Sequence, residues 1–477
     1  MFANIASRLT YTLLGAVFVL LGTFFIASAA DATPYYWVGG AGDGALYTTA
    51  DKWTTTPPGA CGDNIDAGTP GVADTINMDA DCDSPLTIPT DTTVTGLTLS
   101  AGYIGTVTVA NATTIPFSVS GNVDIASGAT LVATSSTASL RVGGNWVNAG
   151  TFTPNGNTVS FYGTVAQTIN TGGVGVGKDF YGLRISNTTD YVSLVTNHAT
   201  VGGNLTLDSG GAAGALFDAV AQNLIVTGTL SNEGILRLIG SQTFTIGTPD
   251  TNTGTITYNG TGTYAIVAPI ATYYNLTFNG NAGSWTFNAA LDVNNALTVT
   301  LGTVVLGANS DVDGAVAVAS DAAATLNIAT YQLNVAGAWS VGALGVFTAG
   351  TGSTVVFDGT TQNLTSGGVD AGHDFVNLTI TGTTAVTLVT NALAVTGNLT
   401  TAATTDSLDI GALALTAGVL VHTGNIILIG SQTVTVTTPD INSGTFTYNG
   451  TGTYATVAPI ATYYNLTFNG NAGSWTF

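Results

Sequence analysis

The residues that come nearest to a known chemical motif lie at 172–179, GGVGVGKD. Gly172, Gly177 and Lys178 keep the Gly-x4-Gly-Lys spacing with which a glycine-rich loop cradles phosphates. The next residue should be Ser or Thr, whose hydroxyl holds magnesium, but Asp179 stands there and would repel phosphate. No helix-like segment follows to offer its N-terminus. A related string at 367–374, GGVDAGHD, has His373 in place of Lys178. Both strings read as glycine-rich turns. A second pattern suggests calcium: Asn309, Asp311 and Asp313 put oxygen ligands at alternate positions ahead of Gly314. The bidentate Glu that should close such a loop is replaced by Ser320. Metal binding there competes with a solvated turn, and calcium is the one cofactor the sequence suggests. Asp63, Asp66, Asp74, Asp79, Asp81 and Asp83 form a further acidic stretch, with a solvated loop as its ordinary reading.

The remaining reactive groups are sparse. His198, His373 and His422 are far apart, and their partners in the repeat copies described below are Ala392, Lys178 and Asn232. That spacing suggests neither a zinc cluster nor a catalytic dyad. Glycan hydrolysis or lysis needs converging carboxylates or a base against a sugar acid. Beyond the N-terminal segment the chain offers only Lys52, Arg141, Lys178, Arg184, Arg237 and the single Glu233, besides Asp. Trp285 and Trp475 lie in identical GSWTF strings, and the Tyr273-Tyr274 pair recurs as Tyr463-Tyr464. Exposed rings of this kind could stack on a pyranose; the alternative is interior packing that fixes strand register. Cys61 and Cys82 lie close together in a chain that carries an export signal, which favours a disulfide over two free thiols.

The elements that must position these groups are β-strands. Of the 477 residues, 62 are Gly and only 7% are charged, while Thr, Val, Ile and aromatics outweigh the Glu, Lys and Arg that long helices use. The fold class is all-β. A net charge of −21 excludes nucleic acid, whose phosphates require clustered Lys and Arg. Mean hydropathy is +0.39, yet only one apolar run, Leu13 to Ile26, approaches membrane-spanning length. Arg8 precedes it and Ala27-Ser28-Ala29-Ala30 follow, the pattern of a secretory signal cleaved after Ala29 or Ala32, with an uncleaved anchor as the alternative.

After the signal at 1–32 and a distinct, cap-like segment at 33–95, the chain repeats. Residues 239–287 and 429–477 match at 42 of 49 positions. Strings around Leu183, Leu276, Leu378 and Leu466 suggest a shorter unit of roughly 95 residues within the long one. Two repeat units are drawn, 96–290 and 291–477, the second stopping in mid-repeat, so the sequence is expected to be a fragment. Within each unit, short β-runs alternate with Gly, Asn, Ser or Asp. GNWVNAGTF from Gly144 and GTLSNEGIL from Gly228 share an Asn-x-Gly corner, read as Gly and Asn accommodating left-handed backbone. The pattern favours a parallel β-helix (β-solenoid); tandem β-sandwich domains are the alternative.

These turns, with strings such as GNLTL, resemble the β-helical repeat surface proteins of bacteria, the filamentous-haemagglutinin and autotransporter-passenger kind of adhesin. The opening YYWVGGAGDG to DKW (Tyr35 to Trp53) and ADTINMD (Ala73 to Asp79) resemble the start of large repetitive surface proteins. The resemblance implies a location outside the cell or on its surface and an adhesive or scaffolding role, and it carries over no catalytic residue. A non-catalytic repeat adhesin or scaffold is therefore expected. A carbohydrate-active β-helix, or the stalk of one whose active part lies outside this sequence, is the first alternative; a self-assembling surface-layer or matrix protein is the second. Expected partners are surface glycans or proteins of other cells, or a second copy of the chain. A membrane enters only through the signal or a further anchor.

Overall fold

In Thr106–Val109 Thr alternates with Val, and both Val side chains are buried while the Thr residues stay half-exposed. Thr130–Ala133 keeps the same period, with Leu131 and Ala133 buried and Thr130 and Val132 half-exposed. A strand with one dry face and one wet face must stack on others of the same kind. In the computed structural model this happens by coiling. The structure describes residues 32–477 except 40–46, 58–60, 63–64, 90, 111–115, 135–139, 211–213, 267–269, 383 and 456–459. Residues 1–31 of the expected signal at 1–32, and Asp63, lie outside the described residues. The described chain is all-β, without a helix, and winds as a β-solenoid of about 18 turns.

Each coil supplies strands to up to three faces. On the first face one unbroken parallel ladder runs from Pro34–Trp37 through Trp146–Asn148, Asn275–Phe278 and Trp339–Val341 to Asn465–Phe468. It passes residues 95 and 290 with no seam in the pairing. The second face includes Thr130–Ala133 on Thr151–Thr153, and the third includes Leu140–Val142 on Thr158–Phe161 and Gly182–Ile185. Tandem sandwiches, which are built on antiparallel pairing, are thereby set aside. Among the described pairs only Pro34–Trp37 with Lys52–Thr54 is antiparallel.

That one antiparallel pair covers the first edge of the ladder, and Ile65–Asp66 extends the cover. An open solenoid edge invites another strand, so a cap is needed there. Trp37, Trp53 and Tyr47 pack edge to face beneath it, with centroids 4.9 and 5.5 Å apart. The Cys61–Cys82 disulfide ties the cap to the first coils across 21 residues. Closing a loop of that size contributes about 3 kcal/mol by chain entropy. Reduction should therefore speed amide hydrogen exchange in the strands at 34–37 and 75–78 and leave the coils beyond Trp339 unchanged; uniform loosening would show that the cap is not a local device.

Two expectations change. Leu183 and Leu378 lie on the third face, paired with Leu205 and Leu399, whereas Leu276 and Leu466 lie on the first. The 95-residue unit thus joins strings from different faces; strand runs on different faces share one alternation and similar corners, so their sequences converge. The long repeat is structural: Trp285 and Trp475 occupy equivalent places opposite Tyr264 and Tyr454, in coils whose first-face strands, at Leu276 and Leu466, lie nine rungs apart. The Asn-x-Gly corner also has another cause. Asn148 and Asn232 are buried, and neither they nor Gly150 and Gly234 have positive φ. Their side-chain amides donate to the carbonyls of Gly177 and Thr255 in the following coil. A Cβ on Gly150 or Gly234 would come within 2.4 Å of Ala126 O or 2.1 Å of Ala215 O. Close packing of coils, not backbone handedness, demands the glycine.

Inside, aromatic rings recur in register. Trp146 meets Phe152 and Phe180 at 4.9 and 5.5 Å, and Trp339 meets Phe347 and Phe375 at 4.8 and 5.4 Å. Buried Gln167 donates to Val142 O and Gly144 O and accepts from Gly163 N. Gln362 does the same with Val335 O, Gly337 O and Gly359 N. One side chain thus satisfies a carbonyl and an amide that bending leaves unpaired between the third and first faces. It also adds a second bond to Val142 O or Val335 O, which already accept from Tyr162 N and Asp358 N.

Candidate functional site

The glycine-rich turns at 172–179 and 367–374 stand where a strand of the second face is interrupted. Phe152 N donates to Gly177 O, and Phe347 N to Gly372 O, in place of a regular rung. Lys178 then turns inward, its Nζ donating to Asn148 O at 2.9 Å and Gly150 O at 2.6 Å. Burial lowers its pKa. In the other copy His373 fills the same corner, with Nδ1 2.7 Å from Asp370 Oδ1 and Nε2 3.4 Å from Gly342 O. Lys and His interchange at one corner: Lys178 bonds two carbonyls of the preceding coil, and His373 bonds Asp370 of its own turn and faces one carbonyl, Gly342 O. A phosphate would find this lysine already engaged.

The calcium pattern is extended rather than looped. Ser310–Val312 is a strand of the third face, so Asn309, Asp311 and Asp313 line up along one side instead of wrapping a point. Asn309 Oδ1 accepts from Gln332 N, and Asp311 sits beside Asp292 across the ladder. Burial, then the neighbouring carboxylates of Asp313, Asp358 and Asp292, raise the pKa of Asp311. Among the described residues no three His, Cys, Asp or Glu side chains gather in a way that could hold a metal ion.

The aromatic candidates divide. Trp285 is wholly buried, donates from Nε1 to Ile239 O at 2.9 Å and stacks on Tyr264 at 6.0 Å. It cannot present a face to a sugar. Trp475 makes the same contacts with Ile429 O and Tyr454 in the last coil and packs inward with Phe468. Of the tyrosine pairs, Tyr273 is buried against Tyr258 and Tyr463 is hydrogen-bonded to Tyr448, while Tyr464 stands 58% exposed.

His422 replaces Asn232 at an inner corner. Its backbone N donates to Asp440 Oδ2 as that of Asn232 does to Asp250 Oδ2, and its Nε2 lies 3.3 Å from Thr445 O. Burial lowers its pKa, with Thr445 O and Asp440 opposing the shift; Nδ1 has no hydrogen-bond partner among the described residues. A folded pKa below the unfolded value of about 6.5 means that the unfolded chain takes up the proton first. Stability is full above about pH 6.5 and declines as pH falls toward the folded pKa. His422→Asn should remove that component, so the gap in urea midpoint between variant and wild type should move in the variant's favour on acidification. A gap that stays constant with pH would contradict this.

Sequence reasoning did not single out one polar groove. On the third face, Arg141, Ser160 and Arg184 lie on successive outward rungs, and Leu140, Thr158, Ser186 and Asp208 complete a hollow of about 290 Å³. Arg184 Nε donates to both carboxylate oxygens of Asp208 at 2.9 and 3.0 Å. Ser186 Oγ donates to the same carboxylate and lies 3.1 Å from Ser160 Oγ. The Arg141 guanidinium lies over the Tyr162 ring, 4.2 Å from its centroid. The available signal was spacing by the coil period: Asp208 lies 24 residues after Arg184, close to one turn.

Among the described residues no helix is long and apolar enough to cross a membrane. Comparison of the chain with protein-family models, with characterised proteins and with solved structures gives no match.

Proposed function

We propose that the chain is an exported, non-catalytic repeat protein that acts as an elongated adhesin or structural scaffold outside the cell. The observation that carries this reading is the single first-face ladder from Pro34 to Phe468. At about 4.8 Å per rung, some 18 turns make a rod of roughly 85 Å, with recurring outer faces suited to many weak contacts at once. The engagement of Lys178 and His373 with backbone carbonyls supports a structural use of the groups that looked most reactive. A disulfide and a signal-like N-terminus agree with export. The test is to present residues 33–477 to a glycan array and, without ligand, to follow their assembly by electron microscopy. Glycan capture without turnover, or ordered fibres or sheets, supports the reading. Cleavage of a bound glycan would sink it.

A further inference from the structure

We propose that the third-face groove holding Arg141, Arg184 and Asp208 is a binding site for a carboxylated pyranose, a uronic-acid unit of an acidic glycan. The inference deepens the adhesive branch of the proposed function and rests on it.

Three observations carry it. The first is placement. The sequence contains four arginines and two lysines against a net charge of −21, yet two of the arginines share this groove, two rungs or about 9.6 Å apart. Such placement creates a local site for an anion on an otherwise repulsive surface.

The second is unfilled donor capacity. Arg141 has no carboxylate or hydrogen-bond acceptor among the described residues; its guanidinium lies over the Tyr162 ring. Arg184 uses Nε for Asp208, so both its Nη groups have no acceptor among the described residues. A guanidinium edge matches a carboxylate in two parallel hydrogen bonds. The fixed Asp208 carboxylate and the hydroxyls of Ser160 and Ser186 supply acceptors and donors for ring hydroxyls. At about 290 Å³ the hollow is close to the lower bound for small-ligand sites, the scale of a single sugar unit.

The third is that the fold does not need these residues. The rungs Leu140, Val159, Leu183 and Leu205 recur as Leu333, Val355, Leu378 and Leu399 with identical pairing. On that second copy Arg141, Tyr162, Arg184 and Asp208 are replaced by Asn334, Asp358, Thr379 and Ala402. The same coils form without either arginine, so the set serves something other than coiling. An Asp in place of Tyr162 would also turn the second copy against an anion.

Calorimetric titration of residues 33–477 with a short oligogalacturonate, and with its fully methyl-esterified form, tests the site. The acid should bind, and the ester, which keeps the hydroxyls and loses the charge, should bind at least about tenfold more weakly. Arg141→Gln should weaken the acid to the same extent. Arg237→Gln, on the first face and paired with Asp218 at 3.2 Å, should change nothing. Equal binding of acid and ester, no loss in Arg141→Gln, or no binding of either oligogalacturonate or a glucuronate oligomer overturns the proposal. Solution scattering on the same samples separates the two levels. An unaltered rod without binding removes the site and leaves the scaffold reading, whereas a collapsed wild-type particle removes both.

Discussion

Trp339→Ala should lower the stability of the protein by about 3–5 kcal/mol. Trp339 is 1% exposed and meets Phe347, Phe357 and Phe375 at 4.8, 6.3 and 5.4 Å. It therefore ties two successive coils together. Truncation removes the largest side chain from an interior whose walls are parallel strands, hydrogen-bonded on both sides and unable to collapse inward. The cavity term should be near the top of its range. Val176, fully exposed in a turn, is the control, and Val176→Ser should stay within about 0.5 kcal/mol. Urea denaturation followed by tryptophan fluorescence measures both. A Trp339→Ala loss below about 1 kcal/mol would mean that the interior is not packed as described.

Gln362→Ala is the second large effect, by different physics. The side chain is 1% exposed and engages Val335 O, Gly337 O and Gly359 N at 2.8, 2.6 and 3.2 Å. Its removal strands Gly337 O and Gly359 N inside the corner, while Val335 O keeps its bond from Asp358 N, at about 1–3 kcal/mol for each group that water cannot reach. A total of about 3–4 kcal/mol is expected, and Gln167→Ala should behave alike because its partners are the same by position. Hydrogen exchange should show Gly359 losing protection before its neighbours. If water enters and satisfies the two stranded groups, both substitutions would cost little and the exchange pattern would be flat. That result would remove the corner glutamine from the features that hold the coils.

Much of this fold was legible in the sequence because its cause is local. Thr-Val alternation in short runs, broken by Gly and Asn, dictates one-sided strands and tight corners, and the coil follows. The Cys61–Cys82 bridge and the inward turn of one tyrosine in each Tyr-Tyr pair were legible for the same reason. What failed was assignment to a face. Leu183 and Leu276 sit in similar strings, yet the number of residues between corners, not the string, decides which wall a strand joins. Spacing alone left the calcium pattern at Asn309, Asp311 and Asp313 open between a ligand loop and an ordinary solvated segment. Alternate positions in a strand share a side, whereas a loop wraps them round a point, and only the backbone path separates the two. The groove was invisible as a motif because Arg141, Arg184 and Asp208 meet through a coil period that insertions vary from turn to turn.

The central claim is one continuous solenoid, and small-angle scattering of monodisperse residues 33–477 tests it most directly. A rigid rod of roughly 85 Å, with a cross-section that stays constant along its length, is the predicted result. A flexible string of separate globular units, or a compact particle, would contradict the single ladder and the functional reading built on it.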